Sequence, residues 1–573
     1  MICKGNKASE GLGIGEVFCY RPAELKVVQS YIAENEVSET LVQYEAFKSD
    51  VKNQLDSLIV QFQTVDPDQA KIFLAHREIL HDDAIDEEIR NKIGKDLYDL
   101  AWAVETVYDG FSRLLSEMKN ELFRERAQDV KDVRNRLLRS ILGLKCSALS
   151  SLDKPVVIAC HDLLPSDTAT LDCHKVIAII TETGGETSHS AIIARSYGIP
   201  AILGIDGLMD KVQGGELVVV DAMEGELIIV PTEEQLKEYK EKQKQYLATV
   251  SSQNAYLDKL SMTKDGVRFE IGINIGSPNE VEVKQAPYAD FVGLFRSEFL
   301  YMTSPGLPSE EDQFKAYKRV LETFKRPITL RTLDVGGDKS IPCLPLPKED
   351  NPFLGQRGLR FCFEHKEFFE TQVRAALRAS YYGELHLMLP MVTNMDDIYK
   401  AKEIILALRD ELLKEGVPMA PKTKLGIMVE IPSIALIADH VAKEVDFISI
   451  GTNDLCQYTL AVDRMNPNLS DYYQSFHPAL FKLIAFCTEE FRKSGKPVSV
   501  CGELGGHPLA AVVLAGLGVR KFSMNPPSMG KVKRALTEIT MDFAESLAQN
   551  VLSMATADEV INYLETELRG FTG

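Results

Sequence analysis

The 573-residue sequence lacks the features that place a protein in a membrane, outside the cell or on nucleic acid. No apolar run is long enough to span a bilayer, and the first residues lack the charged and apolar regions of a secretion signal. The ten cysteines are scattered without CxxC pairs, which in a long chain indicates reduced thiols rather than disulfides. The net charge of −20 argues against a nucleic-acid surface and favours a partner with a basic face. We therefore expect a cytoplasmic protein without membrane insertion.

The chain is long enough for three or four domains, and its character changes along its length. Residues 1–20 are glycine-rich and strand-like, residues 21–144 show helical periodicity, and strands with short helices return over 145–230. The simplest arrangement inserts a helical bundle, residues 21–144, into one α/β domain formed by 1–20 and 145–230. Residues 231–260 open with a proline and continue with many charged residues, which predicts a solvated connecting helix.

Residues 261–573 predict a (β/α)8 barrel of the TIM type. Eight short buried runs alternate with amphipathic helix patterns, which indicates parallel strands, and eight such units suggest closure. The predicted strands are Glu270–Asn274, Phe291–Leu294, Ile328–Leu333, His386–Met391, Leu425–Val429, Phe447–Ile450, Val498–Cys501 and Lys521–Ser523.

The most informative segment runs from Gly184 to Arg195 and places His189 between a Gly-Gly turn and a predicted helix start. Backbone N–H groups and the positive end of the helix dipole would surround the imidazole there. This environment suits a nucleophile that carries a negative phosphoryl group. The alternative is a histidine that merely follows a helix cap at Thr187 or Ser188. A metal site is disfavoured, because no second ligand follows at ligand spacing.

Polar side chains with chemical roles follow several of the predicted barrel strands. Catalysis in this architecture gathers at the carboxyl ends of the strands. Guanidinium groups bind phosphate and carboxylate, paired carboxylates suit Mg²⁺, and a thiol can protonate carbon. These strand-end residues are Arg296, Arg331, Glu430, Asn453, Asp454, Cys501 and Glu503. For Glu430, a buried salt bridge with an arginine is the alternative.

These segments resemble the phosphoenolpyruvate-protein phosphotransferases, the enzyme I family of the bacterial sugar phosphotransferase system, along essentially the whole chain. Gly184–Arg195 resembles the phosphohistidine segment, and Met428–Ser433, Gly451–Arg464 and Cys501–Leu504 resemble barrel motifs of the family. The resemblance implies that phosphoenolpyruvate phosphorylates His189, with release of pyruvate. The phosphoryl group then passes to a histidine of a small phosphocarrier protein, HPr, as the first step of sugar uptake.

The resemblance also implies a role for each matching position. His189 would carry the phosphoryl group and Cys501 would donate the proton, while Glu430 and Asp454 would bind Mg²⁺. The phosphoenolpyruvate-binding residues would be Arg296, Arg331, Asn453, Asp454 and Arg464, with Lys339 and Arg357 as further candidates. The bundle would dock the phosphocarrier through Asp68, His76, Asp82 and Asp83, for which an ordinary solvated helix face is the alternative. A homodimer through the barrel is implied as well.

Three rival functions remain, and several positions depart from the family pattern, of which Glu186 bears most on the chemistry. A dikinase or phosphoenolpyruvate synthase needs an ATP-binding domain, for which the chain before residue 145 is too short. A non-catalytic regulatory relative would not need the intact histidine, thiol and carboxylates, and a barrel lyase would leave the histidine segment unexplained. Glu186 stands where the family pattern has arginine, and its charge beside His189 would alter the transfer potential. Because His189 and the barrel lie in different predicted domains, the histidine must swing, with 231–260 as the pivot.

Overall fold

The computed structural model describes residues 1–569 in two compact units, residues 1–248 and residues 249–573. The described residues exclude 22–24, 26, 66, 117–120, 145–148, 150–151, 164–170, 173–174, 185–189, 192–193, 195–196, 277–282, 284–285, 304–306, 337–348 and 465. Among the helices within these ranges, none combines the length and the apolar character that a membrane crossing requires.

The first unit is built on an eight-stranded sheet with the order β1-β8-β7-β3-β4-β5-β6-β2. Strands β3 to β6 pair in parallel, and the remaining neighbours pair antiparallel. The strands are β1 (Ile2–Lys4), β2 (Asn6–Ser9), β3 (Leu12–Tyr20), β4 (Val156–Cys160), β5 (Val176–Thr181), β6 (Ala201–Leu203), β7 (Leu217–Asp221) and β8 (Glu226–Ile229). The strands around 156, 176, 201 and 217 were predicted from the sequence, whereas β8 was not.

Five helices lie in the chain between β3 and β4, which are parallel neighbours with Val17 opposite Val157. They are α1 (Val37–Val65), α2 (Pro67–Leu80), α3 (Asp83–Gly94), α4 (Leu100–Ser116) and α5 (Glu121–Ile141). In α3, Ile85, Ile89 and Ile93 recur every four residues and bury one face in the bundle core, as an amphipathic helix requires. The helical insertion therefore leaves and rejoins the sheet at adjacent strands.

The next helices that the structure describes in full are α6 (Leu208–Lys211) and α7 (Glu233–Asn254), and α7 begins in the first unit and ends in the second. The sequence predicted a solvated helix over 231–260, but one face of α7 contacts the sheet. Lys242 Nζ lies 2.6 Å from the fully buried carboxylate of Asp221, and Gln243 donates to the carbonyl of Leu12 at 2.8 Å. The hydrogen bond to Asp221 raises the pKa of Lys242. The first half of α7 is thus held against the sheet by polar contacts that its charged sequence does not predict.

The second unit contains a closed barrel of eight parallel strands in the order β10-β11-β12-β13-β14-β15-β16-β9. Each strand lies within a few residues of its predicted range, and the predicted TIM-type fold class is confirmed. The strands are β9 (Glu270–Ile275), β10 (Phe291–Arg296), β11 (Ile328–Arg331), β12 (Leu385–Leu389), β13 (Lys424–Val429), β14 (Phe447–Ile450), β15 (Val498–Val500) and β16 (Lys521–Met524).

Helices cover the outside of the barrel and share its main apolar core. They are α8 (Glu298–Thr303), α9 (Glu310–Phe324), α10 (Leu359–Glu364), α11 (Lys366–Ala379), α12 (Met395–Lys414), α13 (Pro432–Ala435), α14 (Ala438–Glu444), α15 (Thr452–Leu460), α16 (Pro478–Lys493), α17 (Pro508–Gly516), α18 (Met529–Thr537), α19 (Met541–Ser553) and α20 (Ala557–Glu567). A separate small cluster joins side chains from different strands: Leu294, Met388, Met428, Phe447 and Cys501.

Candidate active site

Arg296 and Arg331 end two neighbouring strands of the barrel and are paired in register with each other. Neighbouring strands lie about 4.8 Å apart, so the fold brings two like charges together. Burial by the surrounding protein and the charge of Arg331 both lower the pKa of Arg296, although solvent still reaches that side chain. Two adjacent guanidinium groups at a solvent-accessible strand end are suited to bind an anion.

Arg331 is almost fully buried and is held by two carboxylates. Its Nη2 donates to Glu298 Oε1 at 2.6 Å, and its Nη1 lies 3.2 Å from Asp334 Oδ2. Burial by itself would lower the pKa of Arg331, but the charges of Glu298, Asp334 and Glu430 outweigh it and raise the pKa. The Nε of Arg331 has no hydrogen-bond partner among the described residues. The side chain is therefore fixed in position, while its buried Nε–H is left without a partner among the described residues.

Arg357 forms the centre of a buried hydrogen-bond network. It donates to both oxygens of Asp334 at 3.1 and 3.2 Å, to both oxygens of Asp454 at 3.0 and 3.2 Å, and to the hydroxyl of Tyr458 at 3.2 Å. A guanidinium has five N–H donors, so all of them are used. The sequence offered Arg357 as a substrate contact, but in this arrangement no N–H remains for a substrate. Arg357 instead positions Asp454.

Glu430 follows β13 and is completely buried. Its Oε1 accepts the backbone N–H of Met391 at 2.6 Å, while its Oε2 has no partner in the part of the chain that is described. Met391 reaches this position with a φ of 54°, a region that non-glycine residues seldom adopt. Burial, followed by the charges of Asp454 and Asp334, raises the pKa of Glu430 to about 8. Oε2 is thus a buried oxygen to which a cation can bind.

Asp454 and Asn453 lie in the first turn of α15, directly after β14. Arg464 Nη1 approaches Asp454 Oδ1 at 3.6 Å, next to the contacts from Arg357. The side-chain oxygen of Asn453 accepts the backbone N–H of Glu503 at 3.0 Å. The predicted residues from β14, β15 and the loop after α15 are therefore connected at the carboxyl end of the barrel.

Cys501 follows β15 and is nearly buried in the small apolar cluster. Its backbone carbonyl accepts from the amide of Asn274 at 2.9 Å, and its Sγ lies 3.7 Å from the carbonyl of Ile450. Burial raises the pKa of the thiol to about 11, although a hydrogen bond with Ser449 and the charge of Arg331 act in the opposite direction. The group therefore keeps its proton at neutral pH, as a proton donor must.

Two predicted residues, His189 and Lys339, lie outside the described residues, as does Glu186. The chain just before the histidine is described up to Gly184. Thr183 donates through both its backbone N–H and its hydroxyl to the carbonyl of His161, at 3.0 and 2.9 Å. Just after the histidine, Ser190 is buried, and its hydroxyl lies 3.5 Å from Asp162 Oδ1. The segments on both sides of His189 are thus tied to the end of β4.

The residues predicted to dock a partner divide into exposed and buried side chains. Asp82 and Asp83 are exposed at the start of α3, where Asp82 caps the helix by accepting the N–H groups of Ala84 and Ile85. His76 is completely buried, with Nε2 3.3 Å from Asp129 Oδ1. A buried imidazole cannot contact a docked protein, so we leave His76 out of the docking surface. Asp68 belongs to α2, but its side chain lies outside the described part.

Three family profiles match successive parts of the chain. They are the N-terminal domain of PEP-utilising enzymes over residues 4–126, the mobile domain of PEP-utilising enzymes over residues 152–225, and their PEP-binding domain over residues 250–541. A phosphoenolpyruvate-protein phosphotransferase of Bacillus subtilis is 40% identical over 564 residues, which cover 98% of this chain and 99% of the relative. The chain belongs to the phosphoenolpyruvate-protein phosphotransferase family.

Other members of the family are similar over equally long alignments. The phosphoenolpyruvate-protein phosphotransferase of Bacillus sp. (strain S) is 39% identical over 98% of this chain and 97% of its own length. That of Staphylococcus aureus (strain COL) is 40% identical over 99% of this chain and 100% of its own length. Similarity of this kind extends through both units.

Sequence reasoning missed the residues that hold the predicted site residues in place. Glu298 and Asp334 anchor Arg331, and Asn274 binds the backbone of Cys501. Glu298 and Asp334 stand within a few residues of the predicted arginines, so proximity to a strand end was a usable signal. For Asn274 the signal was weaker, because it is an amide inside an otherwise apolar strand, 227 residues before the carbonyl that it contacts.

Proposed function

We propose that this protein transfers the phosphoryl group of phosphoenolpyruvate to its own His189 and then to a histidine of the small phosphocarrier protein HPr. Pyruvate is the other product, and the reaction is the first step of sugar uptake by the phosphotransferase system. The single observation that carries the proposal is the pair of adjacent guanidinium groups, Arg296 and Arg331, beside two acidic side chains and a protonated thiol.

Phosphoenolpyruvate carries a phosphate and a carboxylate, and each can accept paired hydrogen bonds from arginine. Arg296 is exposed, and Arg331 has an unused Nε–H. Arg464 lies beside Asp454, with Nη1 3.6 Å from Oδ1, and would complete the set of cations. We assign substrate binding to these three arginines together with Asn453, and Lys339 remains a further candidate. Arg357 supports the site indirectly by holding Asp454.

Glu430 and Asp454 fit the carboxylate ligands of a magnesium ion. Glu430 Oε2 is buried and accepts no hydrogen bond from any described residue, so a cation bound there would satisfy this oxygen and favour the ionised form of the side chain. Mg²⁺ is commonly bound by one or two carboxylates, with waters and substrate oxygens as its other ligands. When bound, the ion supplies positive charge that stabilises the transferring phosphoryl group and the enolate.

Two side chains of this protein, His189 and Cys501, take part in the bond changes of the reaction. An imidazole nitrogen of His189 attacks phosphorus, and the bond from phosphorus to the enol oxygen breaks. The resulting enolate carbon takes the proton of the Cys501 thiol, which gives pyruvate and leaves a thiolate. The high pKa of Cys501 keeps that proton in place until the enolate forms.

The imidazole must approach phosphorus to about 3 Å for in-line transfer. His189 belongs to the first unit and the barrel to the second. We therefore propose that the histidine moves between the barrel and the carrier, with the segment 231–260 as the pivot. The bundle of α1–α5 would present the carrier-docking surface, in which Asp82 and Asp83 offer negative charge to a basic partner.

The proposal is tested by incubating the full chain with phosphoenolpyruvate labelled in its phosphoryl group and with Mg²⁺. We expect an acid-labile label on the native protein and none on His189→Ala. The matched control is His161→Ala, which removes an exposed histidine of the same unit and should leave labelling intact. Equal labelling of His189→Ala and the native protein would refute the proposal, and labelling by ATP would favour a dikinase.

A further inference from the structure

A second cleft lies at the opposite end of the barrel from the candidate active site. It has a volume of about 620 Å³ and lies among residues at or just before the starts of four adjacent strands, β16, β9, β10 and β11. Glu270 begins β9 there, and the carboxyl end of the same six-residue strand lies about 17 Å away, given five steps of about 3.3 Å each. The two sites therefore do not overlap.

The cleft carries a positive charge although the whole chain is strongly negative. Five cationic side chains line it, against three carboxylates. Two of those carboxylates already have partners: Asp290 lies 3.3 Å from Arg268, and Glu270 lies 2.8 Å from Lys521. Arg326 is exposed and contacts no acidic group among the described residues. The remaining cations are Lys259, Arg520 and Lys533. After internal pairing, the cleft keeps an excess of positive charge.

Two buried polar groups give the cleft a defined floor. Ser261 is 4% exposed, and its hydroxyl has no hydrogen-bond partner in the described part of the chain. Lys533 is 5% exposed and is fixed by the carbonyls of Leu257 and Tyr288 at 2.6 and 2.8 Å. A buried hydroxyl without a partner is costly, and a ligand oxygen would satisfy it.

We propose that this cleft binds a small phosphate-bearing metabolite. Guanidinium groups from separate segments, here Arg326 and Arg520, match the several oxygens of a phosphate, and a hydroxyl donor completes such a site. A volume of about 620 Å³ falls within the range of small-molecule pockets and exceeds what an inorganic ion needs. The ligand would bind at the end of the barrel opposite the candidate active site, so it would serve as an effector rather than as a second substrate.

The test is calorimetric titration of the full chain with inorganic phosphate in the absence of Mg²⁺. Because phosphate can also bind the substrate arginines, each variant is made in an Arg296→Ala background. We expect Arg326→Ala to weaken phosphate binding roughly tenfold or more, since a charge-assisted contact is lost. The matched control is Arg319→Ala, an exposed arginine on α9 outside the cleft, which should leave the affinity unchanged.

A second variant separates binding from folding. Ser261→Ala removes a hydroxyl that has no partner among the described residues, so the melting temperature should not fall and should rise if the hydroxyl is unsatisfied, while phosphate binding weakens severalfold. Citrate, titrated in parallel, distinguishes a phosphate site from a carboxylate site. The proposal is overturned if Arg296→Ala alone abolishes phosphate binding, if Arg326→Ala behaves like Arg319→Ala, or if citrate binds more tightly than phosphate. None of these results affects the phosphotransfer proposal, since no transfer is measured.

Discussion

Arg357 offers the most discriminating substitution in the barrel. All five of its N–H groups are used by Asp334, Asp454 and Tyr458, and the side chain is completely buried. Arg357→Met would leave two buried carboxylates without their shared partner. Breaking a buried ion pair by removing one member costs about 3–5 kcal/mol. We expect the free energy of unfolding of the barrel to fall by about that amount.

Arg357→Lys preserves the charge but has three donors in place of a planar fork of five. Asp454 would then lose part of its orientation, so we expect turnover to drop about 10- to 100-fold with a smaller loss of stability. The assays are urea unfolding, followed by a probe in the barrel, and pyruvate release. Arg360→Met and Arg360→Lys are matched controls, because the hydrogen bonds of Arg360 within the described residues go to the backbone carbonyls of residues 354 and 355, at 2.8 and 3.2 Å. If Arg357→Met abolished substrate binding without loss of stability, Arg357 would be a direct substrate contact and our interpretation would be wrong.

Three further predictions follow from the geometry. Cys501, with a pKa of about 11, should react with iodoacetamide at a rate that rises about tenfold per pH unit from 8 to 10. The rate is followed by mass spectrometry, and a rate that stops rising near pH 9 would contradict this prediction. Burial and neighbouring carboxylates raise the pKa of Glu430 to about 8, so the folded state binds the proton more tightly than the unfolded state does. Without metal, the free energy of unfolding of the barrel should therefore fall as pH rises from about 5 to 8. Glu430→Gln should reduce this pH dependence, and an unchanged slope in the variant would contradict the raised pKa of Glu430. Lys242→Met should destabilise the first unit by about 1–3 kcal/mol, because the buried Asp221 loses its cation. Lys240→Met, at an exposed position of the same helix, should leave stability unchanged. Equal melting curves for the two variants would show that the Lys242–Asp221 contact does not stabilise the unit.

The barrel could be predicted because its signals are local. Each strand is a short buried run, and an amphipathic helix pattern separates most neighbouring strands. The carboxyl end of each strand follows from its direction, so the positions of Arg296, Arg331, Glu430 and Cys501 followed once the fold class was fixed. Strand β8 of the first unit was harder to predict, because it pairs with β1 across more than 200 residues and is only four residues long.

The details of the site depend on contacts that no local pattern records. His76 can be buried because Asp129, 53 residues away in the sequence, provides a polar partner for its imidazole. The five contacts of Arg357 come from two separate segments, Asp334 after β11 and Asp454 with Tyr458 in α15, so a residue type typical of substrate binding holds carboxylates in this structure. Likewise, the charged sequence of α7 gave no sign that Lys242 would reach the sheet.

The central claim is that a phosphoryl group passes reversibly through His189. The most direct measurement isolates the labelled protein, free of phosphoenolpyruvate, and adds either pyruvate with Mg²⁺ or purified HPr. We predict that pyruvate recovers the label as phosphoenolpyruvate and that HPr takes it up as phosphohistidine, with His189 unmodified afterwards. Label that stays on the chain in the presence of both acceptors, or that lies on a residue other than His189, would contradict the account.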